Sequence, residues 1–180
     1  MNRTDALALM QEYTKNESLR RHMLSVEAAM RAYAAKFGHD VERWGIVGLL
    51  HDFDYERWPN PPDHPLKGAE ILGQLNYPND VIYAIKSHAD SLGDCPRVSL
   101  MDKTLYACDE LAGFIVACGL VRPEGLTGLT SSSVRKKMKQ KSFAAAVSRE
   151  DIVRGAKELN VNLDEHIQFV IEAIASMEQP

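Results

Sequence analysis

The chain has 180 residues with 21 basic and 25 acidic side chains, a formal net charge of −4, and its 45% hydrophobic and 26% charged composition excludes a disordered or collagen-like polymer. A chain of this size can bury about 70% of its unfolded surface, enough for one substantial core, so one domain spanning 1–180 is expected. The mild acidity argues against a binder of nucleic-acid polymers. There is no apolar run of membrane-spanning length and no signal-peptide pattern at the N-terminus, so a cytoplasmic protein without membrane contact is expected. Cys95, Cys108 and Cys118 are odd in number and form no C-x-x-C pair, which points to free thiols.

Apolar residues recur at helical rather than strand spacing, and the chain reads as all-α. Thr4 opens a first helix ending near Tyr13. Ser18 caps a second whose stripe is Leu19, His22/Met23, Val26, Met30 and Tyr33, and Gly38 stops it. Asp40 caps a third, with Trp44, Val47, Gly48 and His51 on one face, before a Pro-rich loop from Trp58 to Pro65. Pro65 suits the first turn of a helix running to about Leu75, and Asn79 caps another through Val81, Ile82, Ile85 and His88. Ser99 and Asp102 form a capping box ahead of a long helix through Leu105, Asp109, Ala112 and Val116, stopped at Gly119. Further helices are expected at about 131–141, at 149–159 with Ser148 as cap, and at 163–177.

Phosphate-binding glycine loops, the nucleophile elbow of hydrolases and H-E-x-x-H are all absent. The run Asp52-x-Asp54-x-Glu56 is not a calcium loop, because Arg57 stands where the sharp turn needs a glycine. What remains is a set of His and Asp residues on core-facing stripes: His22, His51, His88 and Asp109, with Asp52 beside His51. A lone buried His is usually a hydrogen-bonded core residue, and a lone buried Asp is costly. A divalent cation gives the set one explanation, since it neutralises Asp52 and Asp109 and takes imidazole nitrogens from His22 and His51. The adjacent pair His51-Asp52 can reach one ion only where a helix terminates, and the loop begins there.

The order His22, His51-Asp52, Asp109 resembles the H…HD…D signature of the HD-domain superfamily, which is all-helical and consists largely of metal-dependent phosphohydrolases. The stretches GLLHDFDYERWP, HPLKGAEIL, IKSHAD and YACDELAGFI are similar to small standalone HDIG-type members, and KSFAAAVSREDI fits more loosely. The resemblance implies a metal-binding core of five helices at about 18–118 and a C-terminal helical extension at about 131–177. It implies that His22, His51, Asp52 and Asp109 bind a first ion. His64 and His88 match the two extra histidines of binuclear members, which makes Asp52 the bridge between two divalent ions, with Mn, Fe, Ni, Co, Zn and Mg all admissible. Paired ions supply an activated water and clamp the oxygens of a phosphoryl centre.

The implied activity is phosphohydrolysis of a small phosphate ester or a nucleotide. Asp52 and Asp54 are the candidate catalytic carboxylates. Asp54 stands where the HDIG type has Gly and is expected either to support a ligand or to move a proton. Lys67, one turn after His64, is the candidate phosphate-binding residue. The HHExxDGxGYP block of cyclic-dinucleotide phosphodiesterases is absent after His88. Two rivals are a di-iron oxygenase using the same six ligands and a non-catalytic nucleotide sensor, the latter disfavoured because no second domain is evident. Glu56 ranks below Asp54 as a loop carboxylate, and Arg57 below Lys67 as a phosphate-binding cation. The basic run Arg135 to Lys141 reads as a solvated helix face, and His39 and His166 as surface residues.

Overall fold

Helix caps and apolar stripes account for the whole architecture of the computed structural model, which describes residues 2–177. The described residues form α1 (Arg3–Tyr13), α2 (Glu17–Phe37), α3 (Val41–Leu50), α4 (Asp63–Gln74), α5 (Asn79–Ser87), a 3₁₀ turn (Asp90–Leu92), α6 (Leu100–Leu120), α7 (Ser131–Met138), α8 (Arg149–Glu158) and α9 (Leu163–Met177), with no strand among them. The Asp40, Ser99 and Ser148 side chains accept the backbone N–H groups of Arg43, Asp102 and Asp151, and Ser99 with Asp102 completes a capping box. Gly38 ends α2 in the left-handed conformation.

Four boundaries differ from the sequence expectation. Asn2 and Asn16, rather than Thr4 and Ser18, cap α1 and α2, because their carbonyl oxygens reach the N–H groups of Asp5 and Leu19. Pro78, with no side-chain bond, precedes α5, so Asn79 is its first residue and not its cap. Gly119 does not stop α6, which runs on to Leu120.

The long helices α2 and α6 run through the interior. Helix α3 lies against α2, α5 and α6, α1 covers α3, and α4 packs on α5. The last three helices return to the same core: α8 lies along α6, α9 contacts α2 and α6, and α7 covers α9. Met23, Val26 and Met30 of α2, Ile46, Val47 and Leu50 of α3, Leu111, Phe114 and Ile115 of α6, and Ile167 and Ile174 of α9 are fully enclosed in one apolar cluster. Burial of this surface is the main driving force for the packing.

The approach of α2 to α3 is closer than ordinary side chains allow. A Cβ on Gly48 would lie 2.9 Å from the Cα and N of Glu27 and from the carbonyl carbon of Val26, all backbone atoms that cannot swing aside. Val26 is one turn beyond His22 and Gly48 three residues before His51, so this contact sets the separation of the two imidazoles. Gly48→Ala should therefore act as overpacking, at roughly 1–3 kcal/mol, and lower the melting temperature by roughly 3–10 °C. An unchanged melting curve would show that the helices separate freely.

Candidate metal centre

The five helices α2 to α6 each bring at least one polar side chain to a common centre. His22 projects from the middle of α2, His51 is the C-cap of α3 with Asp52 next in the turn, His64 lies at the start of α4, His88 is the C-cap of α5, and Asp109 sits in the middle of α6. His64 has extended backbone angles (φ −83°, ψ 128°), as a residue before proline prefers, and regular helix begins only after Pro65.

The donor atoms form two groups that share one carboxylate. In the first, His22 Nε2 lies 3.1 Å from His51 Nε2, 3.0 Å from Asp109 Oδ1 and 3.8 Å from Asp52 Oδ2, while His51 Nε2 lies 3.5 Å from Asp52 Oδ2 and 3.4 Å from Asp109 Oδ1. In the second, the other oxygen of the same carboxylate, Asp52 Oδ1, lies 3.3 Å from His64 Nε2 and 3.4 Å from His88 Nε2. Spacings of this size fit donor atoms arranged around a cation.

Hydrogen bonds behind the rings fix which nitrogen faces the centre. His51 Nδ1 lies 2.8 Å from the Gly48 carbonyl oxygen, and His88 Nδ1 bonds the Ile85 carbonyl. A carbonyl only accepts, so both Nδ1 atoms carry hydrogen and the neutral rings turn lone pairs on Nε2 toward the centre. His64 Nδ1 donates in the same way to Asp54 Oδ1 at 2.8 Å. Asp54 Oδ2 accepts the Gly68 N–H at 2.7 Å, and a Cβ on Gly68 would meet that oxygen at 2.8 Å, which explains a glycine at this place in HPLKG. With its proton spent on Gly48, His51 Nε2 turns a lone pair to His22 Nε2 at 3.1 Å, and that lone pair requires either a hydrogen or a cation to face it.

Protons answer that requirement when no ion does. Burial opposes charge on His51, but Asp52 and Asp109 outweigh it and hold its pKa well above the ordinary imidazole value. Burial likewise opposes charge on His64, and Asp52 and Asp54 overcome it, raising the pKa to about 9. Burial works against ionising Asp52 and Asp109, yet the surrounding histidines keep both well below the usual carboxylate range. The open side of the centre is formed by His22, Asp52 and Asp109, whose side chains are 20%, 17% and 20% exposed, whereas His51 is sealed.

Several candidate residues lie elsewhere or have other partners. Asp54, expected to support a ligand or move a proton, is buried with its oxygens bonded by His64 and Gly68. Lys67 pairs with Glu70 at 3.3 Å on an exposed face of α4. Glu56 accepts the backbone N–H groups of Lys15 and Asn16, ahead of α2, and Arg57 donates to the Glu12 carbonyl beside the Tyr13 ring. Arg135 pairs with Asp164, and Lys137 lies over Phe143. His39 is exposed and stacks on Trp44. His166 corrects the surface expectation. It is buried, its Nδ1 lies 2.6 Å from the Tyr33 hydroxyl and its Nε2 bonds the Ala107 carbonyl. Its place in the α9 stripe with Val170 and Ile174 is the sequence signal of that burial. The sequence also gave no sign of Tyr55, whose half-exposed ring stands edge-on against His64.

The pattern that defines the HD domain matches residues 19–113. The chain belongs to the HD-domain family. Ribonuclease Y of Lawsonia intracellularis is 27% identical to it over 159 residues, covering 84% of this chain and 28% of that protein. Ribonuclease Y of Nitratidesulfovibrio vulgaris (strain DP4) is 29% identical over 102 residues, covering 54% of this chain and 18% of that protein. The chain thus spans less than a third of the length of these relatives. No solved structure matches it. HD domains bind divalent metal ions, and the match encloses all six residues gathered here. Among the described residues no helix is long and apolar enough to cross a membrane.

Metal binding to this HD domain should release protons, because His51 and His64 hold them in the metal-free form. Calorimetric titrations at pH 7.5 in buffers of different ionisation enthalpy should show net proton release, with affinity rising toward pH 9. For the metal-free chain, the contribution of charged His64 is fully present below about pH 6.5 and is lost as the pH rises through about 9. Its melting temperature should fall over that interval. Binding without proton release, together with pH-independent melting, would contradict the charge assignment.

Proposed function

We propose that the chain is a metal-dependent phosphohydrolase with a binuclear centre, acting on a small phosphate ester or nucleotide. The observation that carries this reading is the division of the Asp52 carboxylate, with Oδ2 facing His22 and His51 while Oδ1 faces His64 and His88. In this reading His22, His51, Asp52 and Asp109 would hold one ion, His64 and His88 with Asp52 a second. When bound, two divalent ions supply Lewis-acid stabilisation of phosphoryl oxygens and lower the pKa of water.

The chain's own groups do the rest. Asp54 keeps the proton of His64 on Nδ1, the carbonyls of Gly48 and Ile85 do the same for His51 and His88, and the sealed His51 side excludes solvent. Substrate enters from the open side, where His22, Asp52 and Asp109 are partly exposed. Lys67, one turn after His64 and paired with Glu70, is the proposed phosphate-binding cation. The shared core of α2, α6 and α9 supports the described residues 2–177 acting as one unit.

The names of the relatives add a second substrate class, a phosphodiester in RNA, which the same centre would attack in the same manner. The acidic net charge favours the smaller substrate, since RNA binding draws on basic surface.

The test combines metal content with anaerobic turnover. Asp52→Ala should lose both ions. His64→Ala should keep the first, lose the second and reduce phosphate release by roughly 100-fold or more, beyond the usual effect of an outer partner. Wild-type protein loaded with Mn²⁺ or Co²⁺ should release phosphate without oxygen from a panel of phosphate esters and nucleotides. Full metal content and activity in both His64→Ala and His88→Ala would leave a mononuclear centre. Turnover requiring iron and consuming oxygen would replace the hydrolase with an oxygenase, and cleavage confined to an oligoribonucleotide would move the substrate to RNA.

A further inference from the structure

We propose that Arg97, clamped by Glu158, is a positioning residue for His88, so that the C-terminal helix α8 sets the affinity of the second metal subsite. The proposal rests on the binuclear reading above.

His88 follows the last residue of α5, where the helix leaves carbonyl groups without intrahelical partners. One of these, the Ser87 carbonyl, forms the peptide bond to His88 and accepts a hydrogen bond from Arg97 Nη1 at 3.0 Å. A guanidinium at this end of a helix also complements the helix dipole. The His88 ring is held at Nδ1 by Ile85 and its backbone by Arg97, so the direction of Nε2 toward Asp52 depends on both.

Arg97 itself has little freedom. Its side chain is only 11% exposed, and Glu158 at the end of α8 grips it in two parallel hydrogen bonds, from Nε at 2.7 Å and from Nη2 at 3.0 Å. Nη1 also donates to Asp90 Oδ1 at 2.7 Å, and the guanidinium plane lies 3.6 Å from the centre of the Tyr106 ring. A two-bond arginine-carboxylate pair fixes orientation as well as distance, which a single contact or a lysine would not. Asp90 and Tyr106 are in turn bonded by Arg154 of α8, and the Tyr106 hydroxyl donates to Asp151 of α8 at 2.9 Å.

The side-chain grip on Arg97, and through it on the Ser87–His88 peptide, therefore runs to α8, which lies outside the matched region 19–113. These groups form ion pairs with one another and are already neutralised, so they read as a mount for the ligand rather than as a second anion site. In the first subsite α8 packs along α6, with Gly155 against Ala107 and the Ser148 N–H donating to Glu110, but no arginine grips the peptide of a ligand. His51 is oriented by Gly48 within its own helix, and His22 and Asp109 sit mid-helix.

The experiment is calorimetric titration of the metal-free full chain with Mn²⁺. Wild type should bind two ions. Glu158→Gln, which keeps size but removes the charge that grips Arg97, should weaken one of them about tenfold, as loss of an outer partner does, and leave the other unchanged. Arg97→Met should do the same or more. If that variant does not fold, Glu158→Gln reads the same effect. In His64→Ala, which retains only the first ion, adding Glu158→Gln should change nothing. Equal weakening of both ions would mark a general structural role, and unchanged affinities would leave the mount without effect; either overturns the proposal alone. A wild-type chain that binds one ion overturns the binuclear reading and this proposal together.

Discussion

One carboxylate, Asp52, is shared by four imidazoles, and the electrostatics of that arrangement govern the rest of the molecule. Nitrogen lone pairs and carboxylate oxygens gathered at 3.0–3.8 Å repel one another unless positive charge lies among them. Protons on His51 and His64 are one source of that charge and divalent ions another. The fold must hold the cluster together against its own repulsion. The backbone contact of Gly48 with α2, the extended entry into α4 and the sealed position of His51 all serve this purpose.

Helix termini are the second theme. His51 and His88 are both C-caps, and each bonds the carbonyl three residues earlier, a group the helix leaves unpaired at its end. That single feature satisfies the orphan carbonyl, fixes the ring tautomer and points the free nitrogen inward. His64 lies at the other end of a helix, where no such carbonyl is available, and Asp54 supplies the acceptor from the loop after His51-Asp52. The acidic residue that departs from the HDIG pattern thus has a structural reason. Gly68, which gives its N–H to the same carboxylate, completes the arrangement.

Helix positions and most of the site were legible in the sequence because both depend on local spacing. Capping residues such as Asp40, Ser99 and Ser148 act within three residues, and the apolar stripes repeat every turn. The His and Asp residues interrupt those stripes, so they stood out as polar groups facing a core. Pairing at long range leaves no such local mark. Arg97 and Glu158 lie 61 residues apart, and neither stands in a pattern that announces the other. Thr4 and Ser18 are equally good capping residues two positions after Asn2 and Asn16, and His166 lies far in sequence from the other histidines, so spacing alone does not mark it as buried.

The central claim, that Asp52 joins two metal subsites, is tested most directly by anomalous scattering from crystals grown with Mn²⁺. The account predicts two manganese peaks per chain, about 3.5–4 Å apart, one beside His22, His51 and Asp109 and the other beside His64 and His88, with an oxygen of Asp52 bonded to each. A single peak, or two peaks that do not share Asp52, would contradict it.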